Sequence, residues 1–291
     1  MSDWYQLENH VLTIQVRTKG AELKRLFNKV WNRELLWNGD EKIWNRSSPI
    51  LFPIIGKLKD DEYFLNNQLY SMSQHGFARD SEFKCSKCEH DYLEFTLVAN
   101  EESLKKYPFM FELTVTYKLI GNELKISNIV KNKDKKVMLF NIGGHPAFRS
   151  SPFNNYFLQF EKKESQYFQT QNGIIDLNKP IPFSTKTLLI QADTFKKDAL
   201  VFQNIRSSYV DFIDRRKKEM IRIKDFECDF FSIWSKDDIS FVCLEPWSGV
   251  CDEVRHDKNF ENKLGIQKLN PGEIYDFYYS IECNLWTEDI K

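Results

Sequence analysis

Short stretches of alternating apolar and polar residues recur along the whole chain and constrain its fold more than any other feature. They include HVLTIQV, YLEFTLVA, FELTVTYKL, ELKISNIV, FVCLEPW and YDFYYSIECNLW, in which β-branched or aromatic residues occupy alternate positions. Polar turn sequences such as GNE, NKDKK and NPGE separate several of these stretches. The pattern predicts an all-β fold, built as a large antiparallel β-sandwich with few short helices.

Helical patterns are scarce in this sequence. The segment ADTFKKDALVF, residues 192–202, predicts a short helix with a capping aspartate, and ESLKKYPF predicts a single helical turn before its proline. No fixed-period repeat, low-complexity tract or Pro/Gly/Ser-rich linker marks a second domain. We therefore expect residues 1–291 to form one domain, a size that all-β sandwiches reach.

The charge balance excludes some classes of partner. The chain has 41 basic and 42 acidic residues and a formal net charge of −1, so it lacks the basic surface of a general nucleic-acid binder. No run approaches the roughly 18 to 20 apolar residues of a membrane span, and MSDWYQLENH does not resemble a secretory signal. Six scattered cysteines are too few for a disulfide scaffold. We expect a cytoplasmic monomer or homodimer with reduced thiols.

Two of the five histidines stand out by their surroundings. His10, His90 and His256 lie in polar or charged segments and are expected at the surface. His75 in SQHGFARD and His145 in GGHPAF each adjoin glycine within an otherwise apolar setting, where the backbone can bend and present an imidazole to a cleft. From the pattern alone, a buried structural histidine and a catalytic one are about equally consistent with either position.

Glu245 ends the apolar run of ISFVCLEPWSGV, where a carboxylate is costly to bury unless it is paired or lies in a polar cleft. Trp247 follows it, and an indole can stack on the apolar face of a pyranose while a carboxylate accepts hydrogen bonds from the hydroxyls. A glutamate that merely caps a turn before Pro246 explains the sequence equally well.

Other motifs carry less information. The CSKC motif, Cys85 to Cys88, has the spacing of half a zinc site, but no second ligand pair follows, so we interpret it as two cysteines near a hairpin turn. The lysine-rich runs at 131–136 and 214–220 are interpreted as solvated hairpin turns. The sequence contains no G-x-G-x-x-G, P-loop or G-x-S-x-G motif for nucleotide binding or α/β-hydrolase chemistry.

Four segments taken together resemble the aldose 1-epimerase, or mutarotase, superfamily. They are SPILFPIIGKLKD, QHGFARDSEF, NIGGHPAF and VCLEPWSGVCDE, in that order, and the similarity extends from TKGAELKRL to LNPGEIYDFYYSI. The chain is most similar to the branch of LacX-like proteins and hexose-6-phosphate mutarotases. The resemblance implies a galactose mutarotase-like supersandwich with a sugar cleft on one sheet, which agrees with the alternation pattern.

The resemblance also implies roles for individual residues. His145 matches the family's general acid toward the ring oxygen, and Glu245 matches the general base toward the anomeric hydroxyl. His75 matches a second cleft histidine that holds the substrate, and Arg79 follows it in the branch pattern. Opening a hemiacetal requires one group that donates a proton and one that accepts a proton, and histidine and carboxylate suit these tasks near neutral pH. The family needs no metal or organic cofactor.

Further substrate contacts are expected from Lys57 in FPIIGK, Arg46 in WNRSSP and Trp247. The chain departs from the classical galactose mutarotases in having GKLKDDEY instead of a GRxxNRI-type segment, and the family's sugar-binding aspartate has no clear match. The resemblance implies an aldose 1-epimerase acting on an aldohexose. A hexose-6-phosphate mutarotase and a non-catalytic carbohydrate-binding protein are the alternatives, and a lyase or hydrolase on the same fold is a more remote one.

Overall fold

The computed structural model describes residues 3–236 and 239–287, which consist mainly of β-strands. The twenty-six strands of these residues are β1 (Trp4–Glu8), β2 (Leu12–Arg17), β3 (Glu22–Asn28), β4 (Arg33–Glu34), β5 (Ile50–Leu51), β6 (Glu62–Leu65), β7 (Gln68–Ser71), β8 (Lys84–Cys88), β9 (Tyr92–Val98), β10 (Phe111–Ile120), β11 (Glu123–Asn132), β12 (Met138–Phe140), β13 (Gly143–Gly144), β14 (Ala147–Arg149), β15 (Tyr156–Phe160), β16 (Gln166–Gln171), β17 (Ile174–Ile175), β18 (Ile181–Pro182), β19 (Thr187–Leu189), β20 (Leu200–Gln203), β21 (Tyr209–Asp214), β22 (Glu219–Lys224), β23 (Phe230–Trp234), β24 (Phe241–Trp247), β25 (Gln267–Leu269) and β26 (Ile274–Leu285). Helix α1 spans Glu101–Lys106, and single 3₁₀ turns lie at Lys59–Asp61, Ala78–Asp80, Phe153–Asn155 and Phe260–Asn262.

Two nine-stranded sheets form the main layers. Sheet I has the order β19-β15-β21-β22-β26-β11-β10-β9-β8. Sheet II has the order β17-β16-β20-β23-β24-β13-β5, with β14 paired to β24 and β18 paired to β16. Within both sheets the strand pairs are antiparallel. Smaller sheets are formed by β1 to β4, by β6 with β7, and by β12 with β25.

The main hydrophobic core lies between the two large sheets. Leu113 and Ile126 of sheet I and Ile233 and Leu244 of sheet II belong to one cluster of buried side chains. On β10 and β11 buried residues alternate with partly exposed ones, as the period-two pattern predicted. Burial of this apolar surface is the main driving force for the fold. The expected antiparallel β-sandwich is confirmed.

Strand β24 is buried along its whole length because both of its faces are covered. Leu244 points into the main core, whereas Phe241 and Cys243 belong to a separate cluster with Trp37 and Ala147. Alternation along the strand therefore places Glu245 on the face of sheet II that is turned away from the core. That face carries the candidate site.

The helix expected over residues 192–202 is wrong. Residues 192–197 form turns, and Leu200–Gln203 is strand β20, which pairs with β16 and β23. Asp198 adopts a φ of 118°, which a continuous helix does not allow. The apolar run Leu200 to Phe202 is buried in sheet II, so tertiary pairing outweighs the local helical preference.

The turn expected in ESLKKYPF is confirmed as α1. Asn100 and Ser103 form a reciprocal capping box at its N-terminus. The lysine-rich residues 215–218 form an exposed turn between β21 and β22, as predicted. The run at 131–136 instead leads from β11 in sheet I to β12, so the hairpin expected there is wrong, although Lys133, Lys135 and Lys136 are exposed.

All six cysteines lie in the described ranges and are free thiols. Cys85 and Cys88 lie on β8, which forms a hairpin with β9, in agreement with the interpretation of CSKC. Within residues 3–236 and 239–287, no helix has the length and apolar character that crossing a membrane requires.

Candidate active site

A cavity of about 550 Å³ opens on the outer face of sheet II. Both residues expected to transfer protons, His145 and Glu245, line it. The expected substrate contacts also line it, and these are His75, Arg79, Lys57, Arg46 and Trp247. The structure therefore brings together side chains that are separated by up to 201 positions, from residue 46 to residue 247. The volume of the cavity lies within the range of small-molecule pockets.

Strand register places His145 across from Glu245. On one side of the histidine Gly143 pairs with Trp247, and on the other side Ala147 pairs with Cys243. The Nε2 atom of His145 lies 3.1 Å from the Oε2 atom of Glu245. The two side chains are only 6% and 1% exposed, so the pair lies at the bottom of the cavity.

The glycines before His145 serve close packing rather than a sharp bend. Both lie in strand β13, and neither has a positive φ. A Cβ atom added at Gly144 would lie 2.5 Å from the Oη atom of Tyr279 on β26, a strand of sheet I. The absence of a side chain therefore lets the two sheets approach each other beneath the histidine.

His75 does occupy the sharp bend that its neighbouring glycine suggested. Its φ is +67° and that of Gly76 is +71°, in the left-handed region that non-glycine residues rarely adopt. The His75 amide donates to the Gly56 carbonyl at 2.8 Å, and the Gly56 amide donates to His75 Nδ1 at 3.1 Å. Because Nδ1 accepts, a neutral His75 carries its proton on Nε2. Burial and the nearby Arg79 lower the pKa of His75 well below its usual value.

Burial sets the charge of the central pair. It lowers the pKa of His145 to about 3, and the positive charge of Arg79 acts in the same direction. Burial also raises the pKa of Glu245 well above its usual value, and Asp198 adds to this rise. Both shifts favour a neutral imidazole beside a protonated carboxyl. This form differs from the imidazolium–carboxylate form only by the transfer of one proton.

Several buried polar atoms around Glu245 have no hydrogen-bond partner among the described residues. They are Glu245 Oε2, Ser232 Oγ, Trp247 Nε1 and His145 Nδ1. Ser232 pairs with Glu245 in the β23–β24 register, so these atoms surround one position on the sheet. Buried polar groups are rarely left unpaired, because each costs about 1–3 kcal/mol. Their convergence fits a polar ligand that supplies the missing partners.

Aromatic side chains form one wall of the cavity. The Trp44 ring lies 5.1 Å from the His145 ring at an interplanar angle of 31°, and Trp234 contacts the same imidazole edge-on at 5.9 Å. The sequence analysis missed Trp44 and Trp234. Trp44 could have been found from the sequence, because it lies only two positions before the predicted site residue Arg46. The segment FSIWSK contains no signal that would have pointed to Trp234.

Two arginines occupy the rim together. Arg46 pairs with Asp80 at 2.8 Å and donates to the Arg79 carbonyl at 3.3 Å. Arg79 donates from Nη2 to the Gln74 carbonyl at 2.7 Å, while its buried Nε atom lies 3.9 Å from an Asp80 carboxylate oxygen and has no hydrogen-bond partner among the residues that the structure describes. Burial and the neighbouring Arg46 lower the pKa of Arg79 to about 10. The arginine pair therefore keeps donor capacity for a ligand.

Asp198 also lines the cavity and was missed, because it falls in the segment wrongly expected to be helical. The family's sugar-binding aspartate had no clear match in the sequence, and Asp198 is an aspartate at the cavity. It lies near enough to Glu245 to raise the pKa of that carboxyl.

The surface location expected for His256 is wrong. Its side chain is 7% exposed, and its Nδ1 atom lies 3.2 Å from Asp252, which also pairs with the fully buried Lys263 at 2.8 Å. The Lys59 amide donates to the same carboxylate at 2.9 Å. Through these contacts Asp252 links the loop after Cys251 to the 3₁₀ turn at Lys59–Asp61. His10 and His90 are exposed, as predicted.

Comparison with known proteins gives consistent matches over nearly the whole chain. The aldose 1-epimerase family model matches residues 3–282. The chromosomal LacX protein of Lactococcus lactis subsp. lactis is 32% identical over 285 residues, which cover 91% of this chain and 94% of that protein. A galactose mutarotase related enzyme from Lactobacillus acidophilus has 30% identity and a TM-score of 0.93, covering 99% of both chains. A galactose mutarotase-like protein from Lactobacillus casei ATCC 334 has 30% identity and a TM-score of 0.90, covering 97% of this chain and 100% of that one. The chain therefore belongs to the aldose 1-epimerase family.

Proposed function

We propose that the protein is a mutarotase that interconverts the α and β anomers of an aldohexose. The observation that carries this proposal is the 3.1 Å approach of His145 Nε2 to Glu245 Oε2 at the bottom of the cavity. The anomeric hydroxyl and the ring oxygen of a pyranose are bonded to the same carbon. A donor and an acceptor that lie this close can therefore serve both oxygens.

The reaction opens and recloses the sugar ring. Glu245, as carboxylate, takes the proton of the anomeric hydroxyl while His145, as imidazolium, gives its proton to the ring oxygen. The bond from the anomeric carbon to the ring oxygen breaks, and the open aldehyde rotates about its C1–C2 bond. Closure on the other face then reverses both proton transfers. General acid and general base catalysis each contribute about 10²- to 10⁴-fold in rate.

His145 and Glu245 together hold the same number of protons before and after ring opening. Ring opening converts imidazolium and carboxylate into neutral imidazole and carboxylic acid, the form that burial favours here. The desolvated site thus favours the charge state that accompanies the open aldehyde, and closure restores the ion pair. No external proton donor is required.

Other side chains would hold the sugar in place. His75 through Nε2, which lies 3.3 Å from the Gln74 side-chain amide, and the polar groups of Ser232 and Trp247 beside Glu245 offer hydrogen bonds to hydroxyls. The indole rings of Trp44 and Trp234 offer apolar surface for the pyranose ring.

Anomer exchange measured by polarimetry or by NMR tests the proposal directly. Acceleration of glucose or galactose mutarotation that falls in both His145→Asn and Glu245→Gln variants supports these roles. Acceleration that survives in both variants overturns them. Tight sugar binding without acceleration would instead identify a carbohydrate-binding protein.

A hexose 6-phosphate is the second candidate substrate, because the cavity is rich in cations. Four basic side chains of the described residues line it, Arg46, Lys57, Arg79 and Lys236, against two acidic ones. Arginine binds phosphate well through charge-assisted hydrogen bonds, and Arg79 Nε has no hydrogen-bond partner inside the described part of the chain, its nearest anion being Asp80 at 3.9 Å. Exchange rates for glucose and glucose 6-phosphate at equal concentration distinguish the two substrates.

A further inference from the structure

We propose that Cys243, His145 and Glu245 form a binding site for a thiophilic divalent cation such as Zn²⁺, and that the bound ion blocks the proton-transfer pair. The ion would be an inhibitor and not a cofactor. The binding part of this inference is independent of the proposed function, and only its inhibitory consequence rests on mutarotase activity.

Strand geometry brings the three side chains together. Cys243 precedes Glu245 by two positions on β24, so both project from the same face of sheet II. His145 lies across from Glu245, and Cys243 pairs with Ala147, two positions beyond the histidine. One ligand atom from each of the three residues lies within 4.8 Å of the other two, and all three residues are buried.

The donor set fits zinc. Zn²⁺ binds thiolate sulfur at about 2.3 Å and imidazole nitrogen or carboxylate oxygen at about 2.0–2.2 Å, with tetrahedral geometry. Ligand atoms around such an ion lie roughly 3.3–3.8 Å apart, by geometry from those bond lengths. The 3.1 Å separation of His145 Nε2 and Glu245 Oε2 is already close to this spacing. Three protein ligands leave a fourth position, which would face the cavity and take water.

A second observation points to a missing ligand at this place. Glu245 is 1% exposed, and its Oε2 atom has no hydrogen-bond partner among the described residues, although His145 Nε2 is near. The two groups are close but not aligned for a hydrogen bond. A cation bound between them would satisfy this oxygen and reduce the cost of burying it.

Binding must release protons. The thiol of Cys243 and the carboxyl of Glu245 bind a metal ion in their deprotonated forms, and His145 binds as neutral imidazole. Each proton lost from the sulfur or the carboxyl passes to solvent, and no electron transfer is involved. Once bound, the ion occupies the carboxylate lone pair of Glu245 that would accept a proton, and it occupies the His145 nitrogen that would carry the proton to be donated. Occupancy and turnover therefore exclude each other.

The Cys85–Cys88 pair is the main competing site for a thiophilic ion. Both residues lie on the edge strand β8, far along the chain from the cavity residues, and Cys88 is exposed. The double variant Cys85→Ser/Cys88→Ser removes this pair and leaves the cavity intact. It is the matched control for Cys243→Ser.

The test is a titration of the chelator-treated full chain with Co²⁺ and with Zn²⁺. Co²⁺ reports sulfur ligation through a thiolate charge-transfer band in the near ultraviolet, and calorimetry gives Zn²⁺ affinity and stoichiometry. We expect one ion per chain, with the band retained in the Cys85→Ser/Cys88→Ser variant. We expect Cys243→Ser to lose the band and at least tenfold in Zn²⁺ affinity. A band that persists in Cys243→Ser, or disappears in the double variant, overturns the proposal.

The Glu245→Gln variant tests the site without altering the buried thiol. Zn²⁺ affinity should fall at least tenfold, because the amide does not replace the carboxylate charge. Unchanged Zn²⁺ affinity in this variant overturns the proposal even if no Cys243 variant folds.

Activity provides a separate measurement. Zn²⁺ should stop anomer exchange in the wild-type protein at the concentration that saturates the calorimetric site, and EDTA should restore it. Metal binding to Cys243 in a protein without mutarotase activity would reject the proposed function and support the site. Mutarotase activity that is unaffected by saturating Zn²⁺ would reject the site and support the function.

Discussion

His145, in the short connection between β13 and β14, lies opposite Glu245 of β24, with Nε2 and Oε2 3.1 Å apart, and both are buried at the bottom of one cavity. The residues on both sides of His145 are paired with β24, Gly143 with Trp247 and Ala147 with Cys243, so the sheet fixes both ends of the two-residue connection that carries the histidine. A site built on such a pair is held in position by the hydrogen bonds of β24 to β13, β14 and β23.

Replacing Glu245 with glutamine should reduce kcat for anomer exchange by about 10²- to 10⁴-fold, because the amide cannot accept the proton. The free energy of unfolding at neutral pH should stay the same or rise, since the variant removes a titratable group from a buried position. NMR exchange measurements and urea denaturation check the two parts.

Glu164→Gln is the matched control for that variant. Glu164 is also buried, but it lies outside the cavity and accepts hydrogen bonds from the Arg206 and Ser207 amides. This variant should lose about 1–3 kcal/mol of stability while kcat is unchanged. A fall in kcat of equal size in both variants would show that Glu245 acts only through the fold.

The pH dependence of stability should separate the two partners. The pKa of His145 is lowered to about 3, so between pH 3 and 6.5 the unfolded state binds a proton that the native state does not, and stability rises with pH. The pKa of Glu245 is raised, so above about pH 4.3 the native state keeps a proton that the unfolded state loses, and stability falls as pH rises. The two effects oppose each other between about pH 4.5 and 6.5.

Relative to the wild type, Glu245→Gln should therefore give a steeper rise of stability with pH in this window. His145→Asn should shift the slope in the opposite direction. Each change amounts to at most about 1.4 kcal/mol per pH unit. Urea denaturation at pH 4.5, 5.5 and 6.5 measures these slopes, and equal slopes in all three proteins would contradict the assigned shifts.

Arg79→Gln should weaken binding of a sugar phosphate more than binding of the neutral sugar. The loss of a charge-assisted hydrogen bond, about 1.5–3 kcal/mol, corresponds to an increase in KM of roughly 10- to 100-fold for glucose 6-phosphate. Arg25→Gln removes an arginine that pairs with Glu34 away from the cavity and should leave both KM values unchanged. Equal effects of Arg79→Gln on glucose and on glucose 6-phosphate would argue against a phosphate contact.

Asp252→Asn should destabilise the protein by about 3–5 kcal/mol, because it leaves the charge of the fully buried Lys263 without its partner. The double variant Asp252→Asn/Lys263→Met should recover part of this loss. Asp60→Asn breaks the exposed pair with Lys258 and should have a much smaller effect, because solvent screens that pair. Thermal denaturation of the four proteins checks the order, and equal losses in Asp252→Asn and Asp60→Asn would contradict it.

Features that depend on local sequence pattern could be predicted, whereas features that depend on contacts between distant residues could not. The alternation in FELTVTYKL and ELKISNIV sufficed to predict strands, because β10 and β11 each need one buried face. The same reasoning failed for residues 192–202, since the burial of Leu200 and Val201 in sheet II depends on β16 and β23. It failed again for His256, whose charged neighbours in the sequence conceal its contact with Asp252.

The sequence by itself determined the all-β class and, through its resemblance to known mutarotases, which histidines and which glutamate to examine. Only the tertiary structure decided that His145 stands across from Glu245, that Trp44, Trp234 and Asp198 join them, and that Cys243 lies within reach of both. The physical reason is that side-chain alternation is a property of one strand. The choice of neighbouring strand and register is set by contacts between residues about one hundred positions apart.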